Sequence, residues 1–131
     1  MPLIIDTSVI IDFLRQEEKI TTWLYLLSRS KNQLFASIIT HTELFAGKSI
    51  WEKKSALQEL KTIFSGIKLV PINETISQIA GKIRAEYDLD LIDAIIAATA
   101  LNQNIPLATL NSKHFASITH LKLLTPSSQQ N

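Results

Sequence analysis

Residues 91–102 read Leu-Ile-Asp-Ala-Ile-Ile-Ala-Ala-Thr-Ala-Leu-Asn, a helix-length run that is apolar on nearly every side. A helix without a polar face cannot lie on a protein surface, so this one must be buried, with other elements packed around it. The chain is long enough for that. At 131 residues, 46% of them apolar, it has the usual size of one domain. One globular domain is expected over residues 1–125, followed by a polar tail over 126–131.

The elements that could surround the buried helix alternate in type. Leu3-Ile4-Ile5 is a short apolar, β-branched run of the kind found in central parallel strands, and it leads through Asp6-Thr7-Ser8 into a helix over residues 8–14. A second helix follows over 20–27 with Trp23, Leu24 and Leu27 inward, then a strand at Leu34-Phe35-Ala36. The pattern next predicts a short helix over 40–46 ended by Gly47, and a long amphipathic helix over about 51–64 ended by Gly66. Lys68-Leu69-Val70 reads as a strand stopped by Pro71. A helix over 74–87 with Ile76, Ile79, Ala80 and Ile83 inward precedes the buried one, and strands are expected at 106–110 and, at the edge, 121–124. There is no internal repeat. Strands alternating with helices predict an α/β fold: a mainly parallel sheet with helices on both faces and a site beyond the carboxyl ends of the strands.

Composition narrows the chemistry. Cysteine is absent, and the three histidines have no metal-ligand spacing, so a disulfide framework, a thiolate zinc site and a cysteine nucleophile are all excluded. That usage fits a reducing cytoplasm. Asp6 and Asp12 interrupt the apolar N-terminal stretch well short of a bilayer span, so neither membrane insertion nor secretion is expected. With a formal net charge of +1 there is no global positive field, and any grip on a nucleic acid must be local or metal-mediated.

The chemistry therefore rests on carboxylates, each of which also has a structural reading. Asp6 closes a strand expected to be central, where a desolvated carboxylate needs donors or a cation, but it can equally cap the helix that follows. Asp12 lies on that helix and reads as a solvated polar residue. Glu43 completes Thr40-His41-Thr42-Glu43, a capping-box pattern, and its helix can also turn it toward the strand ends. Asp93 is the sharpest signal, because its neighbours Ile92, Ala94, Ile95 and Ile96 leave it no polar face. With Asp90 as cap it would sit in the first turn, where the helix dipole favours a negative charge. Asp88 and Asp90 are expected to be exposed. If Asp6, Glu43 and Asp93 converge, their mutual repulsion calls for a divalent cation, and oxygen donors alone favour Mg²⁺ or Mn²⁺ over zinc.

Four blocks read together carry a resemblance. Leu3-Ile4-Ile5-Asp6-Thr7-Ser8-Val9-Ile10-Ile11-Asp12, Thr42-Glu43-Leu44-Phe45-Ala46-Gly47, Asp93-Ala94-Ile95-Ile96-Ala97-Ala98-Thr99-Ala100 and Ala108-Thr109-Leu110-Asn111-Ser112-Lys113-His114-Phe115 span most of the chain. In order and spacing they resemble PIN-domain nucleases, and within them the VapC toxin group. The resemblance implies a three-layer sandwich around a parallel sheet of about five strands. It also implies Mg²⁺- or Mn²⁺-dependent endonucleolytic cleavage of RNA, with Asp6, Glu43 and Asp93 as catalytic metal ligands. Thr7, Thr109 and Asn111 match positions that support the acids or the water. His114 stands where many relatives carry a fourth acid, which implies one firmly held metal, with His114 contacting a phosphate, shuttling a proton or in a structural role.

The resemblance further implies a homodimer, with residues 40–64 offering an apolar surface, and a cognate antitoxin protein that neutralises the toxin. Lys48, Lys53, Lys54 and Lys113 are candidates for a rim contacting RNA phosphates. Two competing readings remain at this point. A metal-dependent phosphatase or phospho-acceptor domain also keeps acids at strand ends, although Pro71 closes the mid-chain strand and no Asp-x-Asp follows Ile5. A binding module that grips RNA or a partner without cleaving it would fit the missing fourth acid.

Overall fold

The computed structural model describes residues 1–129. Five strands, β1 (Pro2–Ile5), β2 (Gln33–Ser37), β3 (Lys68–Val70), β4 (Leu107–Ala108) and β5 (Leu123–Leu124), form one sheet in the order β3-β2-β1-β4-β5. Every neighbouring pair is parallel, as the alternation of elements predicted. β1 lies at the centre, and Leu3, Ile4 and Ile5 are fully buried.

Successive side chains of a strand point to opposite faces, and the two apolar clusters follow that rule. Leu3, Ile5, Ala36 and Ala108 belong to one cluster, with Val9, Ile10, Trp23 and Leu60. Ile4, Val70 and Leu107 belong to the other, with Ile76, Ile83 and Ile96. The first face is covered by α1 (Thr7–Arg15), α2 (Trp23–Arg29), α3 (Ile38–Phe45), α4 (Lys48–Glu52) and α5 (Lys54–Ser65). The second is covered by α6 (Glu74–Tyr87) and α7 (Leu91–Gln103). The result is the three-layer arrangement that the sequence implied. In α7, Ala94, Ile96, Ala97, Ala98, Thr99 and Ala100 are all buried, and the alanines let the helix lie close to the sheet and to α6.

Several boundaries differ from those the sequence predicted. The helix expected over 51–64 is two helices, because Lys53 is extended at φ −129° and ψ 126°. The break turns the chain so that both Ile50 on α4 and Leu60 on α5 are buried in the same cluster. The helix expected over 20–27 is a 3₁₀ turn (Lys19–Thr21) and then α2, capped by the Thr22 side chain, which accepts from the Tyr25 N–H. The helix expected over 40–46 begins at Ile38, with Ser37 as its cap, accepting from the Ile39 N–H at 3.1 Å. Thr40 is therefore inside the helix and the capping-box reading of Thr40 and Glu43 is wrong: β2 runs straight into α3, and Ser37, still on the strand, takes the cap. The strand expected over 106–110 is confined to Leu107–Ala108, and a short helix α8 (Ser112–Phe115) follows it. Of the expected tail, Pro126–Gln129 forms the helical turn α9, and residues 130 and 131 lie outside the described residues.

The strand order decides where a site can be. From β1 the chain steps outward through β2 and β3, then returns to place β4 on the other side of β1. The carboxyl ends of β1 and β4 thus flank the point where the order reverses, the usual ligand crevice of an open parallel sheet. Asp6 follows β1 there and Thr109 follows β4.

Candidate active site

At that crevice a cavity of about 520 Å³ opens, and Asp6, Glu43 and Asp93 all line it, together with Asp12 and Asp90. Three separate elements deliver the first three. Asp6 is the residue between β1 and α1, Glu43 lies near the end of α3, and Asp93 occupies the first turn of α7.

Asp6 is only 2% exposed, so its carboxylate must be satisfied from within. It precedes the first turn of α1 but makes no side-chain cap bond, so the capping alternative does not hold. Instead Oδ2 accepts from two hydroxyls, Ser8 Oγ and Thr109 Oγ1, each at 2.7 Å. Both hydroxyls are themselves held from the loop after β4. Ser8 Oγ accepts from the Leu110 N–H at 3.1 Å, and Thr109 Oγ1 accepts from the Asn111 N–H at 2.9 Å. Hydroxyls that accept from a backbone amide must aim their protons elsewhere, and here both aim at one carboxylate oxygen. Among the described residues nothing bonds to Asp6 Oδ1.

Thr7 lines the cavity, but its hydroxyl donates to Thr40 Oγ1 at 3.1 Å, a buried bond that ties the start of α1 to the helix carrying Glu43. Glu43 Oε1 is buried and has no hydrogen-bond partner among the described residues. A buried carboxylate oxygen without a donor is costly, and a bound cation or an ordered water would satisfy it.

Asp93 keeps 21% of its side-chain surface. Burial pushes its carboxyl above the ordinary value, the Asp6 charge pushes it further, and His114 draws it partly back, while Asp90 adds to the rise. His114 Nδ1 lies 3.3 Å from Asp93 Oδ2, so the histidine at the expected fourth acidic position faces the acid of α7. Asp90 caps α7 through the Ile92 N–H, as the sequence suggested, and is exposed.

Sequence reasoning passed over Ser8 and Arg15 and set Asp12 aside. Ser8 hides inside a helix-start signal. Asp12, read as merely solvated, is half-buried and lines the cavity, its Oδ1 accepting from Gln16 Nε2 at 3.1 Å. Arg15 is the one Lys or Arg in the lining among the described residues; Lys48, Lys53, Lys54 and Lys113 are exposed but do not line it. The helical spacing of Ser8, Asp12 and Arg15, four and three residues apart, was the available signal, since it sets all three on one face of α1.

Among the described residues no three Asp, Glu, His or Cys side chains are gathered tightly enough to hold a metal ion on protein ligands alone. A hard ion such as Mg²⁺ does not require that, because it keeps several waters and takes one or two carboxylates directly. Asp6, Glu43 and Asp93 all line one cavity and bring only oxygen donors to it, a set that fits such an ion.

A family model described as PIN domain matches residues 3–121. The chain belongs to the PIN domain family. Within it, this PIN protein is similar to ribonuclease VapC19 of Mycobacterium tuberculosis, 32% identical over 117 residues, which are 86% of this chain and 90% of that protein. That likeness sets it among the VapC ribonucleases. Among solved structures, the PIN fold is shared with VapBC-1 from nontypeable Haemophilus influenzae, at a TM-score of 0.77 and 25% identity, covering 95% of this chain and 98% of that one. A toxin-antitoxin complex from Klebsiella pneumoniae matches at a TM-score of 0.76 and 29% identity, covering 95% and 97%.

Proposed function

We propose that this chain is the toxin of a toxin-antitoxin pair, an endoribonuclease that hydrolyses RNA phosphodiesters with Mg²⁺ or Mn²⁺ held by Asp6, Glu43 and Asp93. The observation that carries the reading is Glu43 Oε1, a buried carboxylate oxygen lacking a donor on the cavity where Asp6 and Asp93 also emerge. A divalent cation relieves the repulsion of three acids so placed while leaving them ionised. Kinship with the VapC ribonucleases supports RNA as substrate, and the similarity to toxin-antitoxin complexes supports an antitoxin as partner.

Each side chain then has a distinct task. Ser8 and Thr109 fix Oδ2 of Asp6 and so aim Oδ1 at the ion, the orientation on which metal sites depend. Thr7 and Thr40 hold α1 against α3 and so keep Glu43 at its distance from Asp6. His114 holds Asp93 in place across Oδ2, and Asn111 lines the same cavity beside the loop that carries the two hydroxyls. When bound, the ion supplies Lewis-acid neutralisation of the charge that builds on the phosphodiester during in-line attack by water.

A homodimer belongs to this reading. Trp51 is 65% exposed beside Phe45, with ring centroids 6.1 Å apart, and Phe45 stands equally far from Phe64, an aromatic face within the region expected to pair.

The deciding experiment is cleavage of total cellular RNA by the purified protein in Mg²⁺, in Mn²⁺ and in chelator, beside Asp93→Asn. Metal-dependent fragments absent from the variant are expected. Cleavage that persists in chelator or in the variant would overturn the assignment.

A further inference from the structure

The acidic cavity does not end at its own walls. A second cavity of about 400 Å³, between α1, α3, α4 and α5, shares three lining residues with it: Ile11, Arg15 and Glu43. The two spaces adjoin at Ile11, Arg15 and Glu43, and the second reaches from the end of α1 to Gly47 and Ser49, with Glu59 on its far wall, so the two together make a trough in which Arg15 is the one Lys or Arg among the described residues. Five carboxylates line the first part of the trough, and Arg15 stands at its exit, exposed and in no ion pair among the described residues.

A polyanionic strand entering such a cavity gains from an ion only at the phosphate being cut. The adjoining phosphates meet Asp12, Asp90 and the rest of the acidic wall, and a fixed cation must offset that repulsion. A guanidinium suits the task, because its fork of donors matches two phosphate oxygens at once. Arg15 is also in the last turn of α1, where it complements the helix dipole, but that role would be met by any cation and needs no position on the trough.

We infer that Arg15 forms a phosphate-binding subsite where the two cavities adjoin, gripping the backbone of a single-stranded RNA beside the acids and directing the strand along the trough toward Ser49. This rests on the ribonuclease reading, and names the cation that holds the substrate backbone between the acid walls of the two cavities.

The test is binding of a fluorescein-labelled single-stranded RNA of mixed sequence to the full chain, followed by anisotropy over a salt series. It is made in the Asp93→Asn background with Mg²⁺ so that binding is read without cleavage. Arg15→Gln keeps a polar side chain of good helix propensity and removes its charge, while Arg15→Lys keeps the charge and removes the fork. Arg15→Gln is expected to weaken binding roughly tenfold and to make the slope of log affinity against log salt shallower by about 0.7, the loss of one phosphate contact on a single strand. Arg15→Lys is expected to keep the slope and bind more weakly than the parent. An unchanged affinity and slope in Arg15→Gln, or no RNA binding by the parent even at low salt, would overturn the subsite. Wild-type cleavage with Arg15-independent binding would sink this inference alone, whereas Arg15-dependent binding without any wild-type cleavage would sink the ribonuclease reading alone.

Discussion

Thr109 donates its hydroxyl to Oδ2 of Asp6 at 2.7 Å across 103 residues of sequence, joining the carboxyl ends of β4 and β1 at the reversal in strand order. Thr109 is fully buried and does not line the cavity, so it acts on the site only through the acid it holds.

Thr109→Val keeps the shape and deletes that hydroxyl. Losing such a supporting bond costs roughly 10–100-fold in metal affinity or activity. Cleavage rates across a Mg²⁺ titration are expected to show that loss, with Thr109→Ser close to wild type. A Thr109→Val protein as active as its parent would mean that Asp6 needs no such orientation.

The raised Asp93 carboxyl gives a pH dependence with a definite sign. The metal-free folded state holds that proton more tightly than the unfolded chain, so stability is fully kept below the ordinary carboxylate value and declines as pH rises through the raised one. Asp93→Asn removes the charge. Without metal it should therefore melt above wild type at neutral pH, with the gap closing on acidification below about pH 4, while cleavage is abolished. Thermal melts in chelator over a pH series check both the sign and the closing of the gap.

Mg²⁺ should stabilise the wild type and not Glu43→Gln. An ion bound only to the folded state adds about 2.7 kcal/mol at a hundredfold excess over its Kd. The melting temperature should rise with Mg²⁺, fall back on adding chelator, and move little in the variant, whose neutral amide no longer needs a cation at the buried Oε1 position. Equal shifts in the two proteins would place the ion elsewhere.

Two further substitutions probe the scaffold. Gly81 lies within α6, and a Cβ added there meets nothing within 4 Å. Gly81→Ala is expected to stabilise by about 0.5–1 kcal/mol in urea unfolding, since it lowers the entropy of the unfolded chain and improves helix propensity.

Ala97 is fully buried on α7 among Ile4, Ile96 and Leu107. Ala97→Leu forces extra methylenes between helix and sheet and should cost about 1–3 kcal/mol in the same assay. No loss would mean that α7 is packed less closely than its alanines imply.

Much of the fold was legible because its signals are local. Leu3-Ile4-Ile5 reads as a buried strand from its own side chains, and the run from Leu91 can be nothing but a buried helix. Asp93 was conspicuous for the same reason, as a charge in a segment with no wet side. Boundaries were less legible where two local preferences compete. Ser37 and Thr40 are both good caps, and only the direct run of β2 into α3 gave the role to Ser37. Similarly, the periodicity over 51–64 carries no mark at Lys53, where the chain breaks to bury Ile50 and Leu60 together.

By itself the sequence determined the alternation of strands and helices, the two-faced burial of the central strand and the identity of the acids, since hydrophobic period and residue type are properties of neighbours in the chain. Only the tertiary structure decided which of those acids share a cavity, that Ser8 and Thr109 clasp one oxygen of Asp6, and that Arg15 rather than any lysine stands at its exit. Those relations join residues up to 103 positions apart. They exist because the sheet reverses its order beside β1, and no local preference encodes which strand lies there.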